Sequence, residues 1–350
     1  MAPSLKNAIL PALIFLPTSA ILLKYLFVDL LQTGVFTTKD DCPEIFAGKS
    51  QYQLHYLGGY LPKVEHIACI LVSFFHPLLR PGAEGVSPFI RDFAVALAPC
   101  AVVPFFEAYR NNSKFFPGFA MIMGLIYQSF TVGVTFPIYW FILFALGPKR
   151  AQGFEIKRGA AESVLVGILL GYFVPCIAII ISPTVPVIAA WQLFPIYVTV
   201  IAAIYRFIRS YQPSYNTSGT NVVYLTYIIL FGLSSFMHFN AWLAYDFSLS
   251  KLIHNFIPPI ELPDPRKGHG ALQGALHFLQ WDSLMVFSST FVASLWFAEN
   301  VKQGVILLVW SVVGVLVFGP GATVAGIFLW REKKLSDLRV QNLGKFKQSY

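Results

Sequence analysis

Long apolar runs recur along the whole chain, separated by short polar segments. Nine runs approach or exceed the roughly 20 residues that a membrane-crossing helix needs. They cover 8–31, 61–79, 89–106, 115–146, 163–181, 185–207, 222–245, 272–297 and 304–330. This pattern predicts an all-α fold: a polytopic integral membrane bundle of about 8–9 transmembrane helices. The whole chain, 1–350, reads as one membrane-embedded domain ending in a short basic cytoplasmic tail, 331–350. No repeat of fixed period is visible. The first run resembles a signal peptide, with Lys6 before it and Thr18-Ser19-Ala20 as a cleavage-like triplet. Apolar residues resume after Lys24, so a retained helix is expected. Gly319-Pro320-Gly321 falls inside the last run and predicts a break there.

Composition sharpens the class. Charged residues make up 12% of the chain and hydrophobic ones 56%, with a mean hydropathy of +0.63. Soluble domains carry roughly a quarter charged residues. A soluble enzyme, a disordered chain and a secreted disulfide scaffold are all excluded. The formal charge of +8 is read as loop charge beside anionic lipid, not as a nucleic-acid footprint. Basic residues gather at Lys149, Arg150, Lys157 and Arg158, again at Arg206 and Arg209, and along the tail from Arg331. All three groups are expected to be cytoplasmic. That parity means either that one late run does not cross or that the rule fails once, and the broken run 304–330 is the first choice. Eight spans with both ends cytoplasmic fit best, in the endoplasmic reticulum membrane. The same count puts the sequon at Asn111 on the lumenal side and that at Asn216 on the cytoplasmic side. Cys69, Cys100 and Cys176 lie in apolar runs and Cys42 in a loop, so no disulfide framework and no metal cluster are expected.

Ionisable residues within apolar runs are costly and are functional candidates by default. Asp282 is the deepest, in Leu276-His277-Phe278-Leu279-Gln280-Trp281-Asp282, with apolar sequence continuing beyond it. A carboxylate so placed persists where it is paired, protonated or functional. Glu65 makes a similar, weaker case. Glu107 stands three residues before Arg110, which leaves two roles open: an ion pair at a helix end, or an acid facing a cavity. His238 shares a helical face with Trp242 and Tyr245, at i+4 and i+7. His277 lines up with Gln273 and Gln280, while Asp282 shares a face with Phe278. The 33 Phe, 16 Tyr and 7 Trp are mostly lipid contacts when taken singly. Gathered around a cavity, such rings stabilise a cation. The sequence holds no paired Asp-rich motif, Gly-rich phosphate loop, nucleophile elbow or histidine box; Asp40-Asp41 stands alone. No cofactor or metal is therefore expected.

At His277–Asp282, and at Gly319-Pro320-Gly321-Ala322 followed by Trp330-Arg331-Glu332, the chain resembles the fungal integral-membrane terpene cyclases of meroterpenoid pathways. This is the class associated with ascochlorin-, ascofuranone- and macrophorin-type compounds. Glu107…Arg110 is a looser match. The resemblance implies metal-independent cyclisation of a farnesyl chain joined to an aromatic or other polar head, begun by protonation of an epoxide or alkene. It implies Asp282 or Glu107 as the acid, with His238 and His277 tuning it or taking the final proton. Trp242, Tyr245, Trp281 and Phe278 become candidate substrate contacts. The partners expected are a lipophilic prenylated small molecule and the bilayer. A membrane-embedded acyl- or prenyltransferase and a proton-coupled transporter are the rival readings.

Overall fold

The computed structural model describes residues 5–35, 42, 52, 60–79, 83, 86–111, 113–116, 118–146 and 155–348. Asp40, Asp41, Lys149 and Arg150 lie outside these residues. The described chain is helical. α1 (Leu5–Lys24) continues through a π-turn (Tyr25–Asp29) to Gln32. α2 (Pro62–Leu79) follows, then α3 (Ser87–Ala96) and α4 (Ala98–Tyr109), which join at Leu97. α5 (Phe119–Phe130) and α6 (Val132–Leu146) come next. α7 (Arg158–Ile181) carries a second π-turn at Leu169–Phe173. α8 (Val185–Trp191) and α9 (Phe194–Arg209) meet at a 57° bend. α10 (Thr220–Ala244), α11 (Leu249–Phe256), α12 (Ala271–Ser294), α13 (Val301–Phe318) and α14 (Pro320–Gln348) complete the order.

Among the described residues, five helices are long and apolar enough to cross a membrane: α1, α3–α4, α7, α10 and α13. The bent pair α8–α9 makes a sixth if taken as one span. The predicted count of eight or nine is therefore not reached on these criteria, for legible reasons. The run 115–146 is not one long helix. It folds at Thr131 into two short antiparallel helices, with Tyr127 of α5 against Phe136 of α6, ring centroids 6.2 Å apart. α12 is long enough, but Gln273, His277, Gln280, Asp282 and a line of Ser and Thr dilute its hydropathy.

The run 304–330 breaks where the Gly-Pro-Gly triplet predicts. Gly319 takes φ +89°, a left-handed value suited to glycine, and Pro320 opens α14. α14 then runs back alongside α13. Lys334 Nζ donates to Phe297 O at 2.8 Å and to Gln303 Oε1 at 3.0 Å, beside the start of α13. The tail thus returns to the end from which α13 set out.

One end of the bundle is basic. Asn111 N donates to Glu155 O, Arg158 N to Thr217 O, and Gly219 N to Ile156 O. This brings the ends of α4, α7 and α10 together. It also corrects the sequon placement: Asn111 and Asn216 lie at the same end, because the run 115–146 turns back instead of crossing. A buried ionic cluster closes this end. Arg110 Nε donates to Glu107 Oε1 at 2.9 Å, and Arg331 Nη1 to the same oxygen at 2.7 Å. Arg110 also pairs with Glu332, and Arg331 lies 4.6 Å over the Phe297 ring. Arg331, counted above with a solvated tail, is instead 9% exposed and fixed to α4.

α7 meets α9 where a Cβ on Gly171 would come within 2.5 Å of Val198 N, so this approach needs glycine. Cys42 and Cys69 form a disulfide, which corrects the expectation of none. The fold brings the loop cysteine that follows α1 to an apolar-run cysteine on α2, a pairing that spacing does not reveal.

Candidate active-site cavity

Asp282 projects from the middle of α12 and is 4% exposed. What receives it is the tip of the α5–α6 hairpin. Gly133 N, in the first turn of α6, donates to Asp282 Oδ1 at 2.5 Å. The opening amides of a helix have no intrahelical partners and carry the positive end of its dipole. Asp282 therefore caps α6 from another helix. Gly133 makes this possible, because a Cβ there would sit 2.8 Å from Oδ1 and 2.7 Å from Asp282 O. Thr131 turns the chain with φ 66°, which is uncommon for a non-glycine residue.

The hairpin tip and Asp282 wall a cavity of about 380 Å³. That volume lies in the range of about 300–1,000 Å³ typical of small-molecule sites. Nine aromatic and ten aliphatic side chains make up most of its described lining. Phe278 of α12 meets Phe27 of α1 at 5.7 Å and Phe74 of α2 at 5.2 Å. Phe75 meets Trp191 at 5.0 Å, and Phe194 meets Tyr172 at 4.7 Å, all on the cavity wall. The bend between α8 and α9 presents Trp191 and Phe194 together, and the π-turn in α7 carries Tyr172. The polar groups are few: Asp282, Gln128, Ser129, Thr131 and the hydroxyls of Tyr127 and Tyr172.

Of the residues singled out in the sequence, Asp282 and Phe278 meet in this cavity. The structure does not bring the others to its lining. His277 and Trp281 occupy another side of α12, packed against Tyr25, whose hydroxyl lies 2.9 Å from His277 Nε2. Glu107 is held in the ionic cluster at the basic end. Glu65 is buried at the start of α2. His238 forms a third cluster, with Trp242 Nε1 donating to its Nε2 at 3.1 Å and Asp92 Oδ2 3.4 Å from its Nδ1. Tyr245 is buried beside this group. Asp246 is exposed, and the Lys251 ammonium beside it holds its carboxyl below the usual range. Sequence reasoning missed Asp92, 1% exposed within an apolar run, although the rule that singled out Asp282 applies to it equally. It missed Gln128 and the hairpin tip as well. Among the described residues, no group of three or more His, Cys, Asp or Glu is placed to hold a metal ion.

Residues 11–336 match the CtvD domain, and the chain belongs to that family. Similar curated proteins are fungal. The terpene cyclase ascI of Acremonium egyptiacum is 23% identical over 271 residues, 71% of this chain and 69% of that protein. The terpene cyclase janA of Penicillium janthinellum is 27% identical over 268 residues, 71% and 73% of the two chains. A segment of the FAD-dependent monooxygenase verC1 of Penicillium polonicum is 25% identical over 231 residues, 59% of this chain and 28% of that protein. These relatives bear out the resemblance to fungal terpene cyclases read from the motifs. No solved structure matches the chain.

Proposed function

We propose that the protein is a membrane-bound, multi-pass terpene cyclase that folds a farnesylated, aromatic-headed precursor in the α12 cavity and starts its cyclisation by proton transfer. The observation that carries this reading is the carboxyl of Asp282, the one acid among the described residues of a cavity wall made mostly of aromatic and aliphatic side chains. In the reaction the Asp282 O–H bond breaks as a bond forms from that proton to the substrate's epoxide oxygen or alkene carbon. The epoxide C–O bond or the alkene π-bond opens and leaves a carbocation. Successive alkenes attack it, each forming a C–C bond and passing the charge on. The last cation loses a proton, so proton count is conserved and the product is an isomer. Phe278, Phe74, Trp191 and Phe194 present ring faces to the migrating charge. The α6 amide holds one oxygen of Asp282, which orients the other.

The similarity to segments named terpene cyclase supports the reaction class. The similarity to part of a protein named monooxygenase fits an oxygenated substrate. The basic end is taken to face the cytoplasm and the endoplasmic reticulum to be the host membrane. The test is product formation per amount of inserted protein, from microsomes given a farnesylated phenol with its terminal epoxide. Asp282→Asn keeps the oxygen that accepts from Gly133 and removes the acidic proton. It should insert normally and lose nearly all turnover. Near wild-type turnover would reduce Asp282 to a helix cap.

A further inference from the structure

Four of the cavity's polar groups already bond to the protein. Tyr172 donates to Ala94 O, Ser129 donates to Leu125 O at 3.1 Å, Thr131 Oγ1 accepts from Val134 N at 3.4 Å, and Asp282 accepts from Gly133 N. Gln128 is different. It lines the same cavity, and its Nε2 is shielded from solvent with no hydrogen-bond partner. A buried carboxamide donor left without a partner is costly to the folded protein. Gln128 sits one helical turn before Thr131, the residue that turns the chain toward the amide holding Asp282. The unmatched donor therefore sits on the hairpin that receives Asp282, and both residues line the cavity.

Resting on the cyclase reading, we propose that Gln128 is the residue that recognises oxygen on the substrate: its carboxamide donates to an oxygen acceptor of the bound molecule in this cavity. An epoxide oxygen completes the bond that the protein leaves open. An alkene of the same shape cannot, and leaves the donor stranded. Sites built to hydrogen-bond a ligand group reject the analogue that lacks it, because their own polar groups are then unpaired. Gln128 thus sets preference for the oxygenated substrate while Asp282 supplies the proton.

The test compares two ligands, a farnesylated phenol with a terminal epoxide and its alkene parent, on purified full-length protein in nanodiscs. Dissociation constants come from calorimetry and kcat/KM from product formation. The wild type should bind the epoxide more tightly than the alkene. Gln128→Met, similar in length and without a donor, should weaken epoxide binding roughly tenfold, about 1.4 kcal/mol. It should weaken alkene binding clearly less than epoxide binding, because the alkene makes no bond to the lost donor. Gln128→Asn should keep part of the preference. Tyr127→Phe, which removes a neighbouring hydroxyl, should keep all of it. Equal affinities in the wild type, an equal loss on both ligands in Gln128→Met, or a preference abolished by Tyr127→Phe instead would each overturn the assignment. The two readings separate cleanly. A wild type that prefers the epoxide but cyclises neither ligand sinks the cyclase reading alone. Cyclisation with an unmoved preference in Gln128→Met sinks the Gln128 role alone.

Discussion

Asp282 and Glu107 are both carboxyl groups buried in helices, and their surroundings give them opposite work. Two guanidiniums bond one oxygen of Glu107, and Arg110 goes on to Glu332. Each charge there is compensated, and the four side chains tie α4 to α14. Asp282 has a backbone amide on one side and a ring-lined cavity on the other. Removing one member of a buried ionic group costs about 3–5 kcal/mol, because the charges left behind are unpaired. Glu107→Gln should therefore lower the thermal midpoint in detergent sharply, and the protein that remains folded should still cyclise. Selective loss of turnover at unchanged stability would return Glu107 to the chemistry. The rings divide in the same way. Phe278→Leu removes a cavity face and should change the product distribution. Trp242→Phe breaks only the bond to His238 and should leave the distribution as it is, read by chromatography of the product mixture.

Elements were legible wherever the sequence punctuates them. Gly319-Pro320 ends α13 because glycine accepts φ +89° and proline has no amide to continue a helix. The depth of Asp282 was legible from the apolar residues that flank it. The α5–α6 turn was not. It is made by Thr131 at φ 66°, with no glycine or proline at the bend, and Pro137 six residues on is no guide to it. Missing that turn hid the partner of Asp282, the hairpin that carries Gln128, and the true side of Asn111. The Asp92–His238 pair was hidden for a simpler reason: it joins residues 146 apart on two helices. The hairpin also makes a prediction of its own. Gly133→Ala puts a methyl group within 2.8 Å of Asp282 Oδ1 and of its backbone oxygen, and the backbone oxygen cannot swing aside. The hairpin must then withdraw or Asp282 must rotate. Overpacking of this kind costs typically 1–3 kcal/mol. Turnover should fall by much more than stability does, and Gly133→Ala should resemble Asp282→Asn in its products. Wild-type turnover in Gly133→Ala would show that the close approach is unimportant to the acid.

At the scale of the molecule, both hairpins decide which residues share an end. α1 holds Phe15 against Phe144 and Trp296, toward the basic end, and the Tyr25 hydroxyl just beyond it reaches Ile260 at the other. α12 begins after the 257–270 segment and finishes at Phe297, over which Arg331 is stacked. The segment around Ile260 and Glu261 is therefore opposite to Asn216. Basic residues favour the cytoplasmic side. This orientation predicts that Asn216→Cys is labelled by an impermeant maleimide in intact microsomes, whose outer face is cytoplasmic. Glu261→Cys should be labelled only after detergent opens the vesicles. Cys100 and Cys176 are buried, so the background is low. Cys42 follows the far end of α1 by ten residues, and its disulfide with Cys69 fits an oxidising compartment on that side. The same orientation leaves Asn111 and Asn216 without glycans, while a sequon engineered at 261–263 acquires one that an endoglycosidase removes. Labelling of Glu261→Cys in sealed vesicles, or a glycan on Asn216, would invert the molecule in the bilayer. Labelling of both cysteines from the same side would overturn the hairpin-based topology itself.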